Sequence, residues 1–342
     1  MRAVQYRSNS DITVIDMPEP VPGPGEIIVK IELCGVCGSD VMEWYLTPRA
    51  PLTPGHEPVG EVVEVGAGVD RFRPGDRVFI HHHVPCMVCP RCRRGNWSSC
   101  PRFKQTRLYP GGMAEYVRVP APNVELDVLP LPDDMPSESA VLIEPVACAI
   151  RAVARANVRP GDRVAIIGAG VNGILLTQLC RLAGASRIVV SDPIAVRRER
   201  MPAYGADAVI DPSAGPAPEQ LAAVNDGRLA DIVFVGPSGL GPALAGLELL
   251  EPGGYLMLFA PCAPGVQLPI EPHRLWFNEH TIGASYSAGP HETRIAFEYL
   301  RSGRVRGPEL ITHRFPMEQA LAAFQMTAHP GPGLKAVIEM RS

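Results

Sequence analysis

The hydrophobic positions follow two regimes along the chain. Before Glu138 they come in short runs rich in β-branched residues. These predict strands near Ala3–Tyr6, Ile27–Leu33, Gly60–Val65, Arg77–Ile80 and Ala114–Val119. The segments between them, such as MPEPVPGPGE and GAGVDRFRPGD, are too rich in proline and glycine for anything but turn and extended chain. From Glu138 to about Asn157 the spacing turns helical, with Ala140, Val141, Ala147, Ala149, Ile150 and Val153 apolar. Pro145 is predicted to break or kink that run just after Glu144. Beyond Arg163, strands alternate with helices. Strands are predicted at Val164–Ile167, Arg187–Val190, Ala208–Ile210, Asp231–Val235, Tyr255–Phe259 and Thr281–Ser285. Helices are predicted from near Asn172, around Arg197–Met201, and near Glu219–Asn225 and Leu244–Leu250. This alternation predicts a doubly wound, mostly parallel sheet. Two later helices, near Glu292–Arg301 and Met317–Thr327, and a strand at Lys335–Ile338 have no place in that sheet and are expected to return to the first domain.

The fold class is therefore α/β: a β-rich domain of residues 1–153 and 290–342 with a doubly wound domain, 154–289, inserted into it. The inserted domain opens on a legible motif. After the strand Val164–Ile167, Gly168, Gly170 and Gly173 have G-x-G-x-x-G spacing. The first two permit a tight turn and close approach of a pyrophosphate, and the third lets helix pack on strand. Val171 and Asn172 then open a helix whose free N–H groups suit phosphate. Asp192 follows the next strand, about twenty residues on, where a ribose-binding carboxylate belongs. Such a carboxylate favours NAD over NADP, whereas Arg197 and Arg198 nearby offer a site for a 2′-phosphate.

Composition narrows the class without naming it. A content of 46% hydrophobic and 20% charged residues is that of an ordinary globular chain, and no apolar run approaches the ~20 residues of a membrane span. The N-terminus lacks the apolar core of a signal peptide, so a cytoplasmic location is expected. The net charge of −4 gives no general pull toward nucleic acid, and neither nucleic acid nor membrane is expected as a partner.

Nine cysteines, four of them within Cys86–Cys100, point to metal binding in a reducing compartment. Cys86, Cys89, Cys92 and Cys100 form C-x2-C-x2-C-x7-C, a set able to close a tetrahedral zinc shell around loop 86–100; an iron–sulfur cluster also suits the spacing. A second constellation is dispersed: Cys37 in CGVCGSD, His56 and Glu57 in PGHEPVG, and Glu144 in IEPVA. One thiolate, one imidazole and a carboxylate can hold zinc with a position left open for chemistry. His81-His82-His83 is read differently. Neighbours along a strand point to opposite faces, so three in a row are poorly disposed to bind one ion, and a place in the site wall is expected for one of them.

Taken together, GEIIVKIELCGVCGSD, PGHEPVGEVVEVGAGVDRFRPGDRV, the four-cysteine loop, GGMAEYVRVP, IEPVACAIRA and GDRVAIIGAGVNG resemble the zinc-dependent medium-chain dehydrogenases/reductases, in particular the polyol (sorbitol-like) and threonine dehydrogenase branches. The resemblance spans nearly the whole chain. It implies a GroES-like domain with a catalytic zinc, a Rossmann domain with the nicotinamide, two Zn2+ per chain, and a homodimer or homotetramer. Cys37 and His56 match its zinc ligands, Glu57 the ligating carboxylate of the polyol branch, and Glu144 the position of a third-ligand cysteine. Ser39 matches the hydroxyl that relays the substrate proton. Met42 stands where those branches usually carry a relaying histidine, and Glu43 where sorbitol dehydrogenases carry a substrate-facing tyrosine, so sorbitol itself is not implied. The expected reaction is the NAD-linked, reversible oxidation of a secondary alcohol (a polyol, sugar alcohol, cyclitol or amino alcohol) to the ketone. A dehydrogenase of simple aliphatic alcohols or ketones, and a non-catalytic nucleotide-binding zinc protein, are the alternatives.

Overall fold

The computed structural model describes residues 1–329 and 331–340. Residues 330, 341 and 342, within the expected 290–342 segment, lie outside the described residues. The chain divides into two units, one made of Met1–Ala147 and Ala288–Ser342 and the other of Cys148–Ser287. The divisions fall a few residues before the boundaries at 153/154 and 289/290 drawn from sequence, because the first lies within one continuous helix, Ile143–Ala156.

The first unit holds strands β1 (Arg2–Ser8), β2 (Asp11–Asp16), β3 (Ile27–Val36), β4 (Pro58–Val65), β5 (Arg77–Ile80), β6 (Tyr116–Val119) and β7 (Val128–Pro130). The second holds β8 (Arg163–Ile167), β9 (Arg187–Ser191), β10 (Ala208–Ile210), β11 (Ala230–Val235), β12 (Leu250–Leu258) and β13 (Thr281–Ala284). The chain then returns to the first with β14 (Ile311–Pro316) and β15 (Lys335–Glu339).

The first unit is organised by β3. Its sheet runs β14-β15-β3-β4-β5-β7, with β6 also on β3, and β1 and β2 pair separately. β3 is buried along most of its length, and Ile27 and Ile31 join Tyr6, Val62, Val78, Ile80, Met113 and Phe324 in one core. Each such side chain contributes roughly 1.5–3 kcal/mol by leaving water. The far end of β3 matters for chemistry. There Cys34 sits opposite Pro58 of β4, and Val36 opposite Ala336 of β15, so the segments carrying Cys37, His56, Glu57 and Lys335 emerge together.

The second unit is a parallel sheet in the order β10-β9-β8-β11-β12-β13. Counted from β8 this is 3-2-1-4-5-6, the dinucleotide-binding order, with the glycine turn at the carboxyl end of the first strand. Ala165, Val189, Val233, Leu249 and Leu256 fill the core on one face. No helix of the described residues is long and apolar enough to cross a membrane.

Two sequence expectations need correcting, and one helix carries no sequence signal. Pro145 does not end the run at Glu144. The interruption falls earlier, between the short helix Ser137–Ala140 and Ile143–Ala156, and Pro145 occupies the first turn, where a missing N–H removes no helical bond. The helix Ala121–Asp127 escaped notice because two of its buried residues, Asn123 and Asp127, are polar and leave no apolar stripe. The histidine run is not in a strand: β5 ends at Ile80, so alternation of faces does not govern His81–His83.

Gly173 shows how tightly helix and strand are apposed in the second unit. A Cβ there would lie 1.9 Å from the carbonyl oxygen of Gly168. Gly173→Ala is expected to destabilise the chain by about 2 kcal/mol through forced separation of helix and turn, with a parallel loss of nucleotide affinity. Urea unfolding and NAD titration check both, and an unchanged midpoint would contradict the packing argument.

Candidate functional site

In the nucleotide-binding unit the geometry starts at Gly168, whose φ of +96° only glycine adopts without strain. Its N–H donates to the carbonyl of Ser191 at 2.7 Å, tying the glycine turn to the end of β9. Gly170 caps the helix Val171–Leu182, so Val171 and Asn172 begin it. Asp192 is buried at the end of β9, and its carboxylate accepts the N–H of Ala169 (2.8 Å) and of Ile194 (2.8 Å). The glycine turn and the acidic residue are thus one hydrogen-bonded unit. Arg198 is turned away to Asp211 (2.8 Å) and to the carbonyl of Asp192 (2.6 Å). Arg197 is the arginine beside the turn, its Nη1 3.5 Å from where a Gly170 Cβ would stand.

In the first unit the four cysteines Cys86, Cys89, Cys92 and Cys100 bring their sulfurs within 4.8 Å of one another. The Cys89–Cys92 and Cys86–Cys92 separations are 3.5 and 3.9 Å. These are far beyond a disulfide and near the ~3.8 Å edge of a tetrahedron with ~2.3 Å metal–sulfur bonds. Backbone N–H groups of Cys86 and Cys89 point at Cys100 and Cys86 sulfurs (3.3 and 3.4 Å). Backbone donors, those of Val88 and Cys89 foremost, pull the Cys86 thiol down to about 6. Burial and the neighbouring sulfurs push the Cys92 thiol up, a conflict that a central cation relieves. The donor set fits a thiolate-loving ion such as zinc. Its apolar support is slight: Phe103, and Trp97, whose Nε1 donates to Glu292 at 3.1 Å.

The second constellation assembles where β3, β4 and β15 meet. Cys37, just beyond β3, precedes a short 3-10 helix, Gly38–Val41, that carries half-buried Ser39 and buried Asp40. Gly55, at φ +97° and with no room for a Cβ beside Met113 and Cys34, makes the turn that delivers His56 and Glu57. Cys37, His56 and Glu57 offer sulfur, nitrogen and oxygen within 4.8 Å of one another. Asp40 ties two of them together: its Oδ2 accepts the N–H of Cys37 (3.0 Å), and its Oδ1 lies 3.3 Å from His56 Nδ1. Burial opposes a charge on His56, but Asp40 and Cys37 overcome it and hold the imidazole well above its ordinary value.

Glu57 is fully buried, and Nζ of buried Lys335 lies 2.7 and 2.5 Å from its two oxygens. Burial raises the carboxyl of Glu57 above its usual range, although Lys335 and His56 pull the other way. Burial alone would lower Lys335; Glu57 and Cys37 more than reverse this and raise it. Glu144 gathers with His81 and His82, again within 4.8 Å, and its charge also acts on Glu57 and Lys335. The two groups adjoin, with the His56 and His82 ring centroids 5.1 Å apart. His83 Nδ1 faces the carbonyl of Thr106 at 2.5 Å, and burial pushes this imidazole down to about 4.

Asp40, Lys335 and Asp127 did not emerge from the sequence as site residues. Asp40 carried a signal, as the polar residue three after Cys37 in CGSD. Lys335 carried none, because only the pairing of β15 with β3 brings it within reach.

The comparisons agree with this architecture. Residues 23–133 match the alcohol dehydrogenase GroES-like domain and residues 170–302 the zinc-binding dehydrogenase domain. The chain is 31% identical to sorbitol dehydrogenase of Gallus gallus over 98% of its own length and 96% of that protein's. It is 33% identical to L-threonine 3-dehydrogenase of Pyrococcus abyssi, covering 88% and 87% of the two chains. Among solved structures, an Escherichia coli CFT073 alcohol dehydrogenase complexed with NADH superposes with a TM-score of 0.87 at 26% identity, over 99% of each chain. With its GroES-like first unit and its Rossmann second unit, this chain belongs to the zinc-binding dehydrogenase family and is an NAD(P)-dependent oxidoreductase.

Proposed function

We propose that this protein catalyses the zinc-dependent, NAD-linked, reversible oxidation of a secondary alcohol of the polyol, sugar-alcohol, cyclitol or amino-alcohol type to the ketone. The observation that carries the reading is the convergence of Cys37, His56 and Glu57 on one point, in a chain similar to sorbitol and threonine dehydrogenases. Cys37, His56 and Glu57 hold the catalytic zinc, while Cys86, Cys89, Cys92 and Cys100 hold a structural one, giving two Zn2+ per chain. Bound there, zinc would supply Lewis-acid polarisation of a hydroxyl oxygen and the nicotinamide a hydride acceptor.

The remaining work falls to side chains. Asp40 orients His56 and fixes the backbone of Cys37. Lys335 offsets the charge of Glu57. Ser39 passes the substrate proton toward solvent, a task that Met42, without an ionisable group, cannot share. Gly168, Gly170, Val171, Asn172 and Gly173 receive the pyrophosphate, and Asp192 the ribose hydroxyls, with Arg197 beside the phosphates.

A panel of polyols, cyclitols, amino alcohols and simple aliphatic alcohols with NAD, read by NADH absorbance, tests the substrate class. Turnover confined to simple aliphatic alcohols would replace it, and no turnover at all would favour a non-catalytic nucleotide-binding zinc protein. The carboxylate of Asp192 repels a 2′-phosphate, so kcat/KM with NAD is expected to exceed that with NADP by at least about tenfold, roughly 1.4 kcal/mol. Asp192→Ala should shrink the ratio; a wild-type preference for NADP removes Asp192 from this role.

Exposed Trp276 and Phe277, close in sequence to the edge strand β13, support assembly of two or four copies. Light scattering on a sizing column is expected to give a dimer or tetramer mass that Trp276→Glu reduces.

A further inference from the structure

On the reading of function given above, His81, His82 and Glu144 are the wall of the Cys37–His56–Glu57 centre. Their donor atoms lie within 4.8 Å of one another, and the His82 and His56 ring centroids are 5.1 Å apart. We propose that the four-cysteine loop and the helix Pro290–Arg301 set the place of this wall, with Thr293 and Asp127 as positioning residues that act through His81.

Three consecutive residues of the helix, Glu292–Arg294, carry one end of the linkage. Buried Glu292 accepts the Nε1–H of Trp97 (3.1 Å) on one oxygen and the N–H of Gly289 (2.8 Å) on the other. A Cβ on Gly289 would lie 2.7 Å from the Trp97 ring, so the loop rests directly on the start of the helix. The next residue, Thr293, donates its hydroxyl to Asp127 Oδ1 (2.5 Å), and Arg294 lies 3.7 Å from the same oxygen. The other oxygen, Asp127 Oδ2, lies 2.6 Å from His81 Nδ1. The backbone of His81 is fixed as well: its N–H donates to the Asp127 carbonyl (3.2 Å), and its carbonyl accepts from Asn123 Nδ2 (2.8 Å). Asp127 and His81 are both fully buried. A carboxyl in that position is tolerated only while its hydrogen bonds are kept, so the His81 ring is oriented with it.

The other end of the histidine run is held from the same loop. His83 Nδ1 faces the Thr106 carbonyl (2.5 Å), and its ring centroid is 5.3 Å from that of Phe103. The Thr106 hydroxyl accepts the N–H of Val84 (2.9 Å), fixing the backbone just beyond. Trp97 and Phe103 are also the apolar support of the four cysteines. A loop with so small a core takes its shape from its ion. The two side chains that complete the loop are therefore the two from which both ends of His81–His83 are hung. A loop that served only to stiffen the surface would not end on residues of the wall.

Full-length protein reconstituted with Co2+ tests this, the visible bands of the Cys37 centre being those that Cys37→Ser removes. Thr293→Val keeps the shape of the side chain and deletes the hydroxyl. It is expected to shift those bands while the amount of bound Co2+ stays that of the wild type. It should also lower kcat by about 10–100-fold, with KM changed by less than about threefold. Thr293→Ser should restore both readouts. Trp97→Phe, which loses the N–H given to Glu292, should act in the same direction. The double variant should be no more than about twofold worse than the poorer single, because the two residues belong to one linkage. Bands unshifted in both single variants overturn the proposal, as do effects on kcat that simply multiply in the double. The bands report on the centre without turnover. A wild type that oxidises no alcohol would therefore sink the proposed reaction, while the band shifts would still decide whether the loop positions the wall.

Discussion

Cys37→Ser is expected to lower kcat/KM by at least about a thousandfold, the scale of several kcal/mol lost from charge stabilisation at the reacting oxygen. NAD affinity should be essentially unchanged, because the glycine turn and Asp192 belong to the other unit. Zinc retained after dialysis should fall from two ions per chain to one. Serine keeps the size of the side chain and its place before the 3-10 helix, so the backbone bond to Asp40 persists and folding is not at issue. What is lost is the soft anionic donor, and a hydroxyl does not ionise near neutral pH to replace it. The two readouts separate explanations: turnover lost while both zinc ions remain would make Cys37 important for another reason. Turnover within tenfold of wild type would remove it from the catalytic centre.

The fold was legible wherever burial follows a simple period. The β8–β9 segment with its glycines is such a place, since a strand buried on both faces must be apolar and a helix start with no room for a Cβ at Gly173 must have glycine. The four cysteines were legible because their ligands are close in sequence. The second centre was legible only in part. Cys37, His56 and Glu57 come from two strand ends and do converge, but nothing local in the sequence assigned Glu144 to a group with His81 and His82. Alternation of faces would govern His81–His83 only within a strand, and β5 stops at Ile80. Lys335 and Asp127 were silent for a different reason. Each acts across a long sequence separation on a buried partner, and pattern along one segment carries no record of that.

Lys335→Met is expected to be the most destabilising single change at the site. It leaves Glu57, fully buried, without its counter-charge, and breaking a buried ion pair from one side costs about 3–5 kcal/mol. For a unit of this size that corresponds to a fall in Tm of roughly 10 °C. The surroundings cannot relax to help. A Cβ on Gly35 would already lie 1.8 Å from Glu57 Oε2 and 3.0 Å from the Lys335 stem, so the pair fills its pocket. Adding Glu57→Gln should recover much of the loss, because the double variant buries no uncompensated charge, yet zinc at the Cys37 centre should stay weakened. Stability and metal binding then part company: the single variant fails in both, the double mainly in the second. If Lys335→Met melts with the wild type, or if the double variant is no more stable than the single, the ion pair does not hold this end of β15 to the segment before β4. Glu57 would then need a different account of how its charge is tolerated.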